Sequence, residues 1–252
     1  PGSDSIRIGN ALLEPGRLLG TFEAEGRHLE WDLRYETSKE PHYFFEGWLR
    51  TLTESRNSVT LPNPRIVLEG RVGLDDQTLE IRGGVGHQAH HWGVRRAARW
   101  NWAHCCAFEG EEAVLELLSG EGPGGVTPTF VKLYTPEGDF LCNDLASLPF
   151  NRCVSGLGFW RFEGSVARRR IVADILVAPR FVQRFVYVSP GYRTSECWNT
   201  QVGDCLVRIY EEGWMRSPRL VRVLRARGTA AAEIHDEEPE RIPYPAWRSE
   251  SQ

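Results

Sequence analysis

The sequence predicts an all-β, antiparallel architecture of two tandem β-barrel or half-barrel units with few helices. Three observations carry this. Roughly a dozen short runs alternate apolar and polar residues, with turn signals about every 8–12 residues. No segment sustains a helical apolar period over four turns. Chains this rich in strands remove exposed edges by closing, and a barrel of about eight strands or more can hold a ligand.

The elements follow in order. Leu18–Ala24 and His28–Tyr35 flank Glu25-Gly26-Arg27 as a hairpin. His42–Thr53 opens with Tyr43, Phe44, Phe45 and Trp48, and fits either a short helix or a loop over a barrel mouth. Pro62-Asn63-Pro64 reads as a chain break. Arg65–Val72 and Gln77–Arg82 form a second hairpin around Leu74-Asp75-Asp76. Ala113–Leu118 is a strand. Gly120–Gly125 holds five Gly or Pro in six residues, and is either a long hairpin tip or the seam between halves. Thr127–Tyr134, Gly158–Glu163, Ile171–Val177 and Phe181–Val188 are further strands. Glu196–Thr200 and Asp204–Tyr210 flank a turn at Gln201-Val202-Gly203, and Leu220–Ala226 reads as the last strand. The acidic, then Pro-rich stretch from Glu233 reads as a poorly ordered tail. The units expected are 1–120 and 121–235, with a seam near 120–127 and a flexible tail over 236–252.

A chain of 252 residues with a formal charge of -4 has the length for a substantial core and lacks the basic excess of a nucleic-acid binder. Its Arg clusters, Arg168-Arg169-Arg170 and Arg216–Arg227, read as solvated strand faces and turns. No apolar run approaches the ~20 residues of a membrane helix. The six cysteines form no CxxC pair, and the first residues, Pro1-Gly2-Ser3-Asp4, show no apolar leader segment. Free thiols in a cytoplasmic protein are therefore expected.

One stretch is chemically dense. Residues 86–108 hold four of the seven histidines and three of the nine tryptophans. Imidazole titrates near neutral pH, and indole offers a large apolar face with one donor. If 100–108 is a strand, Trp100, Trp102, His104, Cys106 and Phe108 share one face, and Cys105 lies on the other. An extended 87–92 puts His87 and His91 on one side and Gln88, His90 and Trp92 on the other. Gly84, Gly86 and Gly93 suggest bulges or close backbone approach.

Three readings compete. His87, His91 and His104 could ligate a metal, but their spacing matches no ligand motif, so no metal and no other cofactor is expected. A histidine could transfer protons in a dry aromatic pocket. Or the side chains could brace a barrel. The candidate catalytic residues are His104, His91 and His87, with Asp144 and Glu196 next. The candidate substrate-binding residues are Trp92, Trp100, Trp102, Phe108, Gln88 and Trp198. Covalent catalysis has little support: no G-x-S-x-G elbow occurs, and Cys105 beside His104 faces away.

Gly86, His90, Trp92 and Gly93, followed by Trp100 and Trp102, resemble the central signature of the lipocalin-like superfamily. That superfamily includes carotenoid 1,2-hydratases, tocopherol cyclases and lipocalin-like Diels–Alderases. The run Arg225–Glu233 is similar to the Gly-rich, Glu-bearing strand that ends related chains. The resemblance covers 65–110 well and the rest only in strand pattern. It implies two consecutive barrel-like halves with a ligand cavity near their junction. It further implies a cyclase, isomerase or hydratase (lyase) acting on a terpenoid, polyene or polyketide-derived molecule in a biosynthetic pathway. The alternatives are a non-catalytic binding protein for such a molecule, and a zinc-dependent hydrolase.

Overall fold

The computed structural model describes residues 5–38, 40–44, 50, 57–93, 97–122, 125–189, 193–213, 216–236 and 242. Of these, 73% lie in strands, well above the ~20–25% of an average domain. The sheets curl into half-barrels of lipocalin-like type. Among the described residues, no helix is long and apolar enough to cross a membrane. Contacts group the chain into two compact units, Pro1–Tyr43 with Val59–Trp92, and Phe44–Ser58 with Gly93–Gln252.

The N-terminal unit is built on β1 (Ile6–Ile8), β2 (Ala11–Glu14), β3 (Arg17–Ala24), β4 (Arg27–Tyr35), β5 (His42–Tyr43), β6 (Asn57–Leu74) and β7 (Gln77–Gly93). The sheet order is β1-β2-β3-β4-β6-β5, with β7 on β6. Both expected hairpins are present. Glu25 and Gly26 have φ of 53° and 75°, the two left-handed residues of a type I′ turn, whose twist matches the strands it joins. A Cβ at Gly86 would lie 3.1 Å from Leu68 Cδ1, the close approach expected there. Pro62-Asn63-Pro64 does not break the chain, because both prolines lie inside β6. They fall between its pairing with β5 at Thr60–Leu61 and its pairing with β4 at Leu68–Leu74, where those two partners ask for no N–H. Of the aromatic segment 42–53, His42–Tyr43 is strand and Phe44 is buried. Residues 45–49 and 51–56 lie outside the described residues.

The C-terminal unit is built on β8 (Arg99–Cys105), β9 (Val114–Gly120), β10 (Thr129–Tyr134), β11 (Phe140–Cys142), β12 (Arg152–Gly156), β13 (Phe159–Val166), β14 (Arg169–Leu176), β15 (Gln183–Ser189), β16 (Arg193–Gly213) and β17 (Arg216–Asp236). Single 3-10 turns at Leu148–Phe150 and Pro179–Phe181 connect some of them. The order is β11-β10-β9-β8-β17-β16-β14-β13-β12, with β15 on β16. Ala103, Leu117, Val131, Trp160, Val207 and Ala232 represent its core, one face of each strand. The curl brings β13 against β10 and β11. A Cβ at Gly164 would lie 2.8 Å from Val131 Cβ and 3.0 Å from Cys142 Cβ, so only glycine permits the approach. Buried Asn151 ties this seam. Its Nδ2 donates to the carbonyls of Thr129 (2.8 Å) and Cys142 (2.7 Å), and its Oδ1 accepts from Ser165 N–H (3.2 Å).

Three expectations change here. The seam expected at 120–127 is a hairpin tip, since β9 and β10 are antiparallel neighbours. The contacts instead separate β7 from β8, so the His/Trp stretch is shared between the units. Gln201-Val202-Gly203 is not a turn but an irregularity inside β16. Between Thr200↔Ala232 and Gly203↔Ala230, β16 spends one more residue than β17. The extra residue is a β-bulge. On the other side, Gly228 (φ 63°) bulges from β17, and its N–H donates to Asp204 Oδ1 at 2.8 Å. Nor does the tail begin at Glu233. β17 runs to Asp236 between β8 and β16, and Ile242 packs in the core. Residues 237–241 and 243–252 lie outside the described residues.

Candidate functional site

The C-terminal unit presents a second face, opposite its core. Strand periodicity places Trp100, Trp102 and His104 of β8 there, while Ala103 and Cys105 face the core, as the alternation requires. Register then fixes their neighbours. His104 lies opposite Glu116 on β9, and Glu116 lies opposite Lys132 on β10. Trp102 lies opposite Leu118 on one side and Glu233 of β17 on the other. Trp100 lies opposite His235. Directly opposed antiparallel residues have Cβ atoms about 4.5–5.5 Å apart, so these side chains are immediate neighbours.

The row His104, Glu116, Lys132 is deeply buried, at 2%, 0% and 0% exposure. The Trp102 and His104 rings lie nearly parallel, 9° apart, with centroids separated by 6.3 Å. Beside them, Trp100 stacks on buried His235 at 3.6 Å and 4°, and Tyr187 is tilted against both rings. His235 Nδ1 donates to the Ala98 carbonyl at 3.2 Å, since that oxygen can only accept. Glu233 Oε1 accepts from Asn199 Nδ2 at 2.8 Å, and its Oε2 accepts from Trp100 Nε1 at 3.4 Å. The face therefore combines indole and imidazole rings with two carboxylates and an ammonium. Such a set can hold an apolar molecule and exchange protons with it.

The other candidates are distributed differently. Phe108 is not on this wall. β8 ends at Cys105, and Phe108, bridged to Glu111 across the turn at Glu109-Gly110, packs in the core. Trp198 also packs against the core, on the face away from Asn199. His87, Gln88, His91 and Trp92 belong to β7 of the N-terminal unit. There His87 is half-buried, and burial pushes its imidazole below the usual value. Gln88 Oε1 accepts from Asn63 Nδ2 at 2.5 Å, and Asn63 in turn accepts from Ser38 N–H, which is a scaffold role. His90, His91 and Trp92 are exposed. Asp144 caps a turn, accepting from Ser147 N–H, and that bond holds it below the usual carboxylate range. Glu196 pairs with Arg184.

Cys105, Cys142 and Cys205 lie in the core, and Cys153 packs against it. The Cys205 thiol hydrogen-bonds Cys105 and holds it below its usual value, while Cys205 itself is raised well above. Burial pushes Cys142 and Cys153 up to about 12. The basic clusters meet carboxylates, as in Arg222 with Glu111 and Glu137, and Arg170 with Glu212. Two clefts, of about 220 and 630 Å³, open on the N-terminal unit beside Trp31 and Tyr35, and neither is lined by a candidate residue.

Sequence reasoning missed Glu116, Lys132 and His235. A signal was present for the first two. Each is a charge in the middle of an apolar run, Val114–Leu118 and Thr129–Tyr134, and the two runs are joined by one hairpin.

Solved structures that share this fold include two from different organisms. Kievitone hydratase from Nectria haematococca aligns with a TM-score of 0.53 and 12% identity, over 91% of this chain and 69% of that one. A Nitrosomonas europaea protein assigned as AttH aligns with a TM-score of 0.53 and 10% identity, over 94% and 71%. At such identity the likeness carries the fold alone. No protein-family model matches the chain, and no curated protein matches it in sequence.

Proposed function

We propose that the chain is a hydratase- or cyclase-type enzyme acting on an apolar small molecule of terpenoid, polyene or polyketide-derived character. In this reading His104 is the proton donor or acceptor, Trp102 shapes and holds the substrate, and the setting is cytoplasmic. The observation that carries it is the buried His104 imidazole stacked with Trp102 on one face of the C-terminal unit. An imidazole shielded from bulk water beside an aromatic face can pass a proton to a carbon or oxygen centre, and the indole stabilises developing positive charge. A kievitone hydratase has the same fold, and hydration is the reaction class that this reading takes from it.

The test pairs binding with product analysis. A panel of polyenes and polycyclic phenolics is screened by quenching of tryptophan emission, and hits are incubated in heavy-oxygen water. A product that gains one heavy oxygen marks hydration, and an isomer of unchanged mass marks cyclisation. Binding without any product would make the chain a carrier. Trp102→Ala is expected to weaken binding by about 1–3 kcal/mol, roughly 5- to 150-fold in Kd, through loss of an aromatic contact. An unchanged Kd in that variant would place the ligand elsewhere.

A further inference from the structure

The row beside Trp102 holds more charge than a packing role needs. The chain has thirty basic residues, of which only Lys39 and Lys132 are lysines, and Lys132 is fully buried. A buried ammonium is costly unless a negative group stands next to it, and the same is true of a buried carboxylate. Register supplies that neighbour for each, because Glu116 lies directly opposite Lys132 on one side and His104 on the other. Lysine brings to this place a compact point charge on a flexible stem.

We propose that Glu116 and Lys132 are positioning residues for His104. Lys132 keeps Glu116 ionised, and the Glu116 carboxylate on the neighbouring strand stabilises the imidazolium as it forms. A carboxylate beside a catalytic imidazole supports its charged form without itself taking the proton. The ammonium beyond it tempers that attraction, so that His104 can both accept and release a proton. This assignment rests on the reading of His104 as the proton-transfer group.

A double-substitution cycle tests it. Glu116→Gln alone leaves a buried ammonium, and Lys132→Met alone leaves a buried carboxylate. Each is expected to lower Tm by roughly 6–20 °C. The double variant removes both charges and is expected to regain most of that loss, because a buried pair replaced by neutral groups costs little. Imidazole nitrogen NMR shifts, assigned to His104 by their loss in His104→Gln, report its tautomer and charge. They are expected to move in the refolded double variant. Where turnover is measurable, it should stay at least tenfold down with KM little changed. Single variants that melt like the wild type, or a double variant that regains no stability, would show that the charges are not coupled. Regained stability with unmoved His104 shifts would make the pair scaffold. Absence of wild-type turnover on every candidate would sink the enzymatic reading instead, and leave the melting and NMR arms to decide this one.

Discussion

His104→Gln is expected to lower turnover by about 10²–10⁴-fold, the usual contribution of a positioned general acid or base. Affinity for the apolar ligand should stay within a few-fold. Glutamine approximates the reach of the imidazole and keeps a donor and an acceptor, but it cannot carry a proton at neutral pH. The split between turnover and affinity is what distinguishes the mechanisms. An enzyme that only holds reacting atoms in register would hardly notice the change, and would lose most of its rate in Trp102→Ala. A carrier has no turnover to lose. Because His104 is buried among charged neighbours, a thermal melt must accompany the kinetics. A well-folded variant that turns substrate over at the wild-type rate would remove His104 from the mechanism.

Asn151→Ala is expected to destabilise the C-terminal unit by about 2–4 kcal/mol. The side chain makes three hydrogen bonds at one seam, two to the carbonyls of Thr129 and Cys142 and one from the Ser165 amide. Alanine strands these groups in a buried place, and the cost of a stranded group exceeds the net worth of an ordinary hydrogen bond. Asn151→Asp should fare no better, because the Nδ2 that carried both donors becomes one carboxylate oxygen facing two carbonyl oxygens. Urea denaturation read through tryptophan emission measures the change. A loss below about 0.5 kcal/mol would mean that the Gly164 contact and the core close the curl unaided.

Local signals were the legible part of the fold. Glu25-Gly26 and Asp75-Asp76 announce their hairpins because turn chemistry depends on adjacent residues. The face shared by Trp100, Trp102 and His104 follows from strand periodicity. What escaped depends on partners distant in sequence. Gln201-Val202-Gly203 has the composition of a turn, and only the pairing with β17 shows that β16 runs straight through it. Pro62 and Pro64 look like breakers until β4 and β5 are known to leave them a gap on β6. Phe108 leaves the wall because β8 stops three residues short of it. In the site, Glu116 and Lys132 are meaningful only together with His104, through a register between strands that the sequence does not display.

The bulge in β16 sets which side of that strand is inside. Beyond it, odd-numbered Cys205, Val207 and Ile209 face the core; before it, even-numbered Trp198 packs there and Asn199 reaches Glu233. The extra residue thus works as a parity switch, and its register is a matter of length more than of residue type. Removing Val202 would turn the preceding half of the strand over, aiming Trp198 outward and Asn199 into the core. Substitutions at 202 should be borne easily, whereas a single deletion or insertion between 200 and 205 should not.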